Sequence, residues 1–431
     1  MKLLVAGLNH RTAPVEVREN LAFRVEDLAP ALARLRDGVG AREAMILSTC
    51  NRVEVTATFD AAGPSEEVIA AFLAETHGFA AGNLAAHMYS YEERQAIRHL
   101  FRVASSLDSM VIGEPQILGQ LKQAYAQARE HGAIGGYLDT VLTRAFSVAK
   151  RVRTETEIGQ NAVSVGYAAV ELAKEIFGSL HKQTVLIAGA GKMSESAARH
   201  LERAGVTDIL ITNRTAERAE EMAQVFRGRV IPFEDFPGRL EEADIVIASS
   251  AAPGYLLTCE HVKRAIELRR NRPMFFIDIA VPRNIDPAAN DVEHAFVYDI
   301  DDLERVVNEN LKGRSEIAKR GEAIVEEEVD RLLARLRGRE VTPTIVGLQE
   351  QLEAVRSAEV ARFRGKLGAL TPEQEEAIEA LTRGIINKIA HGPISELRRT
   401  AEGSSSGEAA GGSSDLVSLV RRVFRVPERD R

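Results

Sequence analysis

One segment constrains this chain more than any other. VLIAGAGKMSESAARHL, residues 185–201, runs from a short apolar stretch through a two-glycine turn into an amphipathic helical pattern. A continuous apolar run of that length suits a strand covered on both faces, as in a parallel sheet with helices on either side. Gly189 and Gly191 permit the tight turn and bring backbone N–H groups close to a pyrophosphate at the helix N-terminus. Ala190, Lys192 and Met193 complete the loop, and Ser194 stands where the usual pattern has a third glycine. A tight turn without a ligand is the plain alternative. The strand–turn–helix context favours a dinucleotide site.

The neighbouring sequence carries the same pattern. A helical run, AVSVGYAAVELAKEIFG, leads in, and DILITNRT, ADIVIASS and MFFIDIA supply further short apolar strands alternating with helices. A doubly wound, Rossmann-type domain is expected over 156–305. The strand after the glycine loop ends in Asn213, Arg214 and Thr215. An NAD-binding fold places an acid there, on the ribose hydroxyls. An acid would repel a 2′-phosphate, whereas Arg214 can pair with one and Asn213 and Thr215 can donate hydrogen bonds. The expected cofactor is therefore NADPH. Ser249, Ser250 and Asp278 end later strands on the same sheet edge, as site residues or as ordinary loop starts.

A chain of 431 residues has room for roughly three domains. Residues 1–155 mix strands (KLLVAGL, AMILSTC, VEVTATF) with helices and read as an α+β domain. Residues 306–431 are helix-rich and charged. The stretch 301–337 reads as one long helix with no strong stop before Gly338, and a new helix is expected at Thr342-Pro343. Its apolar stripe, from Leu303 through Val306, Val307, Leu311, Ile317, Ala318, Ile324, Val325, Val329, Leu332 and Leu333 to Leu336, needs a partner. A second copy of the chain would supply one, giving a homodimer. The Gly/Ser-rich segment 401–415 is expected to be disordered. The net charge of −8 does not suggest a general nucleic-acid binder. No apolar stretch approaches the ~18 residues of a membrane helix, and the N-terminus lacks a signal-peptide pattern. Cys50 and Cys259 are far apart and outside any CxxC, which points to a reducing cytoplasm. No His/Cys cluster has metal-ligand spacing, so no metal site is expected.

Cys50 interrupts an apolar run in LSTCNRVEV, residues 47–55. AMILSTC reads as a buried strand and VEVTATF as a half-buried one, so the thiol sits on a strand or at a tight strand end. A structural core thiol is the plain reading. A thiol beside NADPH suggests a specific chemistry. Esters resist hydride reduction because resonance stabilises their carbonyl. A thiolate that displaces the alcohol forms a more electrophilic thioester, which hydride converts to an aldehyde. On an extended strand residues 50 and 52 share a face, so Arg52 is expected to offer its fork to a substrate carboxylate and to favour the thiolate. The alternative for Arg52 is an exposed strand residue. Thr49 and Asn51 offer hydrogen bonds beside the thiol.

GLNHRTAPVEVRE (7–19), STCNRVE (48–54), SLDSMVIGEPQILGQLKQAY (106–125), GAGKMS (189–194), NRT (213–215) and DIAVPRNIDP (278–287) together resemble the glutamyl-tRNA reductase family. The resemblance implies reduction of glutamyl-tRNA(Glu) by NADPH to glutamate 1-semialdehyde with release of tRNA, the entry step of tetrapyrrole synthesis. It implies Cys50 as nucleophile. It implies substrate binding by Thr49, Asn51, Arg52, Ser109, Glu114, Pro115, Gln116 and Gln120. It also implies a role in activity for His99 and an NADP loop at Gly189–Ser194. Further implications are a V-shaped homodimer with a long spinal helix, and hand-off of the aldehyde to glutamate-1-semialdehyde aminomutase. The residues themselves are compatible. Pro115 can open a helix, and Gln116 and Gln120 then share one face, as amide ligands or as surface decoration. His99 lies between apolar residues on a helix, as a satisfied core residue or as an acid, base or orienter. Two competing readings remain: a shikimate-type dehydrogenase, which 170–300 alone would fit, and an NADPH-sensing interaction protein with an inert Cys50. Neither needs the STCNR or GEPQ segments.

Overall fold

Strand-forming runs on either side of the first helices pair into an antiparallel sheet of order β2-β3-β1-β4. Its members are β1 (Lys2–Asn9), β2 (Glu43–Ser48), β3 (Arg52–Phe59) and β4 (Tyr89–Glu92). The computed structural model describes residues 1–60, 66–79, 84–109, 113, 116–156, 158, 165–250, 252, 254–309, 315–402 and 410–426. Two compact units divide the chain, Met1–Val325 and Glu326–Arg431.

Six helices accompany the first sheet: α1 (Val15–Asn20), α2 (Val25–Asp37), α3 (Glu66–His77), α4 (Glu93–Ala104), α5 (Gln116–Glu130) and α6 (Gly136–Thr156). α3 and α4 pack on β1, and α2 and α5 on β2. The alternation in VEVTATF predicts a strand with one wet face. Instead β3 is buried at every position. Its polar set, Arg52, Glu54, Thr56 and Thr58, shares one face by the two-residue period and is at most 1% exposed. That face is covered, and its two charges pair with each other.

The same unit holds a second sheet of order β10-β9-β8-β5-β6-β7, parallel throughout. Its elements run β5 (Thr184–Ala188), α8 (Lys192–Arg203), β6 (Asp208–Thr212), α9 (Ala216–Phe226), β7 (Arg229–Val230), β8 (Ile245–Ala248), α10 (Cys259–Leu268), β9 (Met274–Asp278) and β10 (Ala295–Asp299). α7 (Val165–Phe177) precedes them and α11 (Ile300–Glu309) follows. In order of appearance the six strands lie 3-2-1-4-5-6, the dinucleotide-binding arrangement. Strands buried on both faces explain their continuous apolar runs: Val185 and Ile187 face one core, Leu186 and Ala188 the other. The order reverses between β5 and β8, and ligands of such sheets bind at that crevice.

α12 (Ser315–Leu367) runs for 53 residues, followed by α13 (Pro372–Glu402) and α14 (Ala410–Phe424). The helix expected across 301–337 covers α11 and α12, and the residues that would join them, 310–314, lie outside the described residues. Sequence signals misplace two other boundaries. α12 does not stop at Gly338 or restart at Pro343, which lies inside it. An internal proline costs ~3 kcal/mol. Burial of Val341 and Leu348 on either side, in a cluster with Leu397, Val420 and Val426, offsets that cost. α14 starts at Ala410, so 410–415, expected to be disordered, form the opening of a helix whose later residues Leu416, Val417, Val420 and Phe424 join the same cluster. Residues 403–409 lie outside the described set.

Part of the predicted inter-subunit stripe is already covered: Leu303, Val325, Val329 and Leu332 are buried within the single chain. The exposed large apolar residues described in the second unit lie further on, at Val346, Val355, Phe363 and Leu367 of α12, at Leu381, Ile385 and Ile389 of α13 and at Leu419 and Val423 of α14.

Candidate active site

Cys50 sits in the turn that joins β2 to β3, and Thr49 closes that turn. The Thr49 N–H donates to the Arg52 carbonyl at 2.9 Å. The Thr49 hydroxyl oxygen accepts from the N–H groups of Asn51 and Arg52, both at 3.1 Å. The His10 N–H, just past β1, donates to the Asn51 carbonyl at 2.9 Å. A threonine before the cysteine is what this local geometry needs, because its hydroxyl satisfies two turn donors. The thiol is half-buried, and neither Cys50 nor Cys259 is in a disulfide. Since Cys50 lies in a turn, the expected sharing of a strand face with Arg52 does not occur.

Arg52 differs from expectation in a second way. It is 1% exposed, and its fork is already engaged. Nη1 donates to Glu54 Oε1 at 2.6 Å; Nη2 donates to the Asp108 carbonyl, and lies 3.3 Å from Asp108 Oδ2. It is neither a surface strand residue nor a fork open to a substrate carboxylate. Glu54 Oε1 also accepts from the Tyr89 hydroxyl and contacts His99 Nε2 at 2.8 Å. Burial would raise the Glu54 carboxyl, but His99 and Arg52, with the hydrogen bonds from His99 and Tyr89, hold it well below the usual carboxylate range. An ionised Glu54 only accepts, so His99 Nε2 carries the hydrogen. His99 is 3% exposed and stacks on Tyr91, with ring centroids 4.7 Å apart. The bonds therefore run from His99 through Glu54 and Arg52 to Thr49, the residue before the thiol. His10, beside the turn, is pushed down to about 3, first by burial and then by Arg52, Arg11 and Arg18, so it is neutral at pH 7.

Sequence reasoning missed Glu54, Tyr89, Asp108 and Arg18. The signal for Glu54 was available: opposite charges two apart in an apolar strand share a face. Arg18, in α1, is 1% exposed and donates through Nη1 to the Cys50 carbonyl. Of the other predicted residues, Ser109 is 8% exposed, and its hydroxyl has no hydrogen bond among the described residues. Gln116 and Gln120 lie half-buried one turn apart on α5. Glu114 and Pro115 lie outside the described residues. Gly113, just before them, has φ +89°, and an added Cβ would sit 1.9 Å from the Ile158 carbonyl oxygen, so only glycine fits.

The glycine loop lies at the switch point. Gly189 has φ +115°, and a Cβ there would lie 2.7 Å from the Ser249 carbonyl oxygen. Its N–H donates to the Thr212 carbonyl at 2.8 Å, and the Ala190 N–H donates to Asn213 Oδ1 at 3.3 Å. α8 opens from Gly191 without a side-chain cap, which leaves its first N–H groups for an anion such as a pyrophosphate. Lys192 is exposed and Met193 half-buried at the start of α8, and Ser194 is fully buried. Arg214 and Thr215 are exposed at the end of β6. Arg214 lines a cleft of about 830 Å³ together with Phe23, Arg24, His77, Val281 and Pro282. These residues fit a dinucleotide with a 2′-phosphate. Asp278 is not a ligand group: its carboxylate accepts from the N–H groups of Ala280, Asn284 and Ile285, and burial still pushes it up to about 7. Cys50, Ala190, Met193 and Val281 all pack against one apolar cluster. The thiol turn and the glycine loop thus border the same core.

Three family profiles match in succession. They are the glutamyl-tRNAGlu reductase N-terminal domain at 6–156, shikimate/quinate 5-dehydrogenase at 171–306, and the glutamyl-tRNAGlu reductase dimerisation domain at 320–426. Glutamyl-tRNA reductase from Solibacter usitatus (strain Ellin6076) is 56% identical over 99% of this chain and 100% of its own length. The enzyme of that name from Syntrophotalea carbinolica is 51% identical over 98% of this chain and 94% of its own. A solved structure, glutamyl-tRNA reductase from Methanopyrus kandleri, is 32% identical over 98% of this chain and 99% of that one, with a TM-score of 0.49.

Proposed function

The chain belongs to the glutamyl-tRNA reductase family, and on that premise we propose that it reduces glutamyl-tRNA(Glu) to glutamate 1-semialdehyde with NADPH. This is the first step of tetrapyrrole synthesis from glutamate. The observation that carries the chemical reading is the half-buried Cys50, held in a closed turn that hydrogen bonds link to a buried ionic frame. The Cys50 thiolate attacks the ester carbonyl, the C–S bond forms, and the ester C–O bond breaks. The departing tRNA hydroxyl takes up the proton that the thiol lost. Gly189–Ser194 and Asn213–Thr215 would hold NADPH, which would supply a hydride to the thioester carbonyl; the C–S bond would then break and Cys50 would take a proton from solvent as the aldehyde left.

Thr49, Asn51, Ser109, Glu114, Pro115, Gln116 and Gln120 form the substrate side of this reading. Arg52 and His99 act from the buried frame, with Glu54 as their common partner. Gly189–Ser194 hold the pyrophosphate, and Asn213, Arg214 and Thr215 the 2′-phosphate. The domains divide near 155 and 305. The dimerisation profile supports a homodimer, and the aldehyde passes to glutamate-1-semialdehyde aminomutase. No helix among the described residues is long and apolar enough to cross a membrane; a thiol kept reduced fits the cytoplasm. A shikimate-type dehydrogenase would account for residues 171–306 alone and leaves the thiol turn without a role.

The deciding assay is incubation with glutamyl-tRNA and NADPH, reading aldehyde and free tRNA. Cys50→Ser is expected to abolish product while NADPH binding and the circular dichroism spectrum persist. Cys259→Ser, at the start of α10, is expected to keep turnover. Substantial activity in a folded Cys50→Ser protein would overturn the thioester route.

A further inference from the structure

Two of the sequence runs, GLNHRTAPVEVRE and DIAVPRNIDP, have no part in the chemical steps above, yet they meet in the structure. The first supplies α1. Val15 is 1% exposed and belongs to the apolar core of the nucleotide-binding sheet. Its N–H donates to Asp301 Oδ2 at 3.1 Å, in the first turn of α11. Arg18 uses each of its nitrogens. Nε donates to the Ala13 carbonyl at 3.1 Å. Nη1 donates to the Cys50 carbonyl and to Asn51 Oδ1, the latter at 3.2 Å. Nη2 donates to Asp301 Oδ1.

The second run supplies Arg283, between β9 and β10. Its N–H and Nε both donate to Glu19 Oε2 at 3.1 Å. Nη2 reaches Glu19 Oε1 at 2.8 Å, and Nη1 reaches Glu16 Oε1 at 2.9 Å. The Arg283 side chain is only 10% exposed, so this is a bidentate, largely desolvated pair rather than a surface contact. The loop that carries Arg283 is fixed in turn by Asp278, which takes the Asn284 and Ile285 N–H groups at 2.7 Å each. A guanidinium buried as deeply as Arg18 is costly unless every donor is met. Here the donors tie the thiol turn on one side to the end of the nucleotide-binding sheet on the other.

We infer that α1 sets the position of the thiol turn against the nucleotide-binding sheet, with Arg18 as the positioning residue and Asp301 and Arg283 as its anchors. The inference rests on the reading of Cys50 as nucleophile and NADPH as hydride donor. The two chemical steps need different things from this device. Thioester formation needs the turn alone. Hydride transfer also needs the acylated turn and the nicotinamide at reacting distance, about 3–3.5 Å, and a misplacement of about 1 Å can cost on the order of 100-fold. Loss of an anchor therefore separates the steps, whereas loss of Arg18 itself disturbs both.

The test uses the full chain and two readouts. Labelled glutamyl-tRNA without NADPH measures acylation of the protein. Single-turnover oxidation of NADPH with glutamyl-tRNA measures hydride transfer. Asp301→Ala and Arg283→Met are expected to acylate within about twofold of wild type, and to bind NADPH with unchanged Kd. Both are expected to lose hydride transfer by roughly 100-fold. Arg283→Lys, which keeps a positive charge facing Glu16 and Glu19, is expected to retain more hydride transfer than Arg283→Met while acylation stays equal in the two. Parallel loss of acylation and reduction in the anchor variants, no loss in either, or an Arg283→Lys protein as impaired as Arg283→Met would overturn the inference. A wild-type protein that takes no label would instead overturn the thioester reading on which it rests.

Discussion

Glu54→Gln tests the buried frame linked to the thiol turn with almost no change of shape. In the wild type, Oε1 takes Arg52 at 2.6 Å, His99 at 2.8 Å and the Tyr89 hydroxyl. Glutamine keeps an oxygen there but removes the charge that faces Arg52, a residue 1% exposed. Breaking a buried ion pair costs about 3–5 kcal/mol. Asp108 Oδ2 remains 3.3 Å from Arg52 Nη2, which places the expected loss at the low end, about 3 kcal/mol. For a domain of this size that corresponds to a fall of roughly 6–12 °C in its thermal transition.

The pH dependence gives the prediction its edge. Glu54 is depressed below its ordinary 4.5, so its contribution is full above that pH and is lost as pH falls toward the lower folded value. Glutamine does not titrate. The gap between wild type and variant is therefore constant from pH 7 to about 5, and roughly 2 kcal/mol narrower at pH 3. Urea melts of both full-length proteins across that range measure it. Equal midpoints at pH 7, or a gap unchanged at pH 3, would refute the placement of a charged Glu54 at the centre of the frame.

Arg52→Lys is expected to lower both stability and turnover. A lysine point charge cannot span Glu54 and Asp108 together, and melts that match wild type would contradict that. Arg214→Ala is expected to weaken NADPH about 10-fold or more while leaving NADH nearly unchanged, as read by fluorescence titration; equal losses would remove Arg214 from the 2′-phosphate site. Ile385→Asp places a charge in the exposed row Leu381, Ile385 and Ile389, and light scattering at micromolar concentration is expected to show monomers where the wild type is dimeric.

The nucleotide-binding sheet was the most legible part of the chain because its signals are local. A parallel strand buried on both faces writes itself as a continuous apolar run, as at 185–188. The tight turn after it needs glycine where φ is +115°. The helical tail was less legible for the opposite reason. Gly338 and Pro343 are local stop signals, and burial of Val341 and Leu348 overrode them. The stripe from Leu303 to Leu336 correctly indicated a covered face, but period alone does not name the cover. Several of those residues are covered by their own chain, and the exposed apolar residues lie beyond them.

The thiol turn shows where a pattern reading runs out. Alternation of polar and apolar residues along 53–59 is the same string whether the polar face meets water or a buried network. What separates the two cases is charge balance across distant segments. Arg52 and Glu54 are neighbours on one face. His99, Tyr89 and Asp108 arrive from 35 to 56 residues away in the chain, and none announces its partner locally. A lone arginine next to a cysteine therefore read as a hand extended to substrate, when its fork was already filled. The same residue still bears on the chemistry, by a different route. A guanidinium locked between two carboxylates cannot swing to follow a ligand, so the backbone it anchors is held still. Its own N–H and carbonyl close the turn through Thr49, at 3.1 and 2.9 Å. The buried charge thus acts on the thiol through backbone geometry, which is why its length and fork matter more than its sign alone.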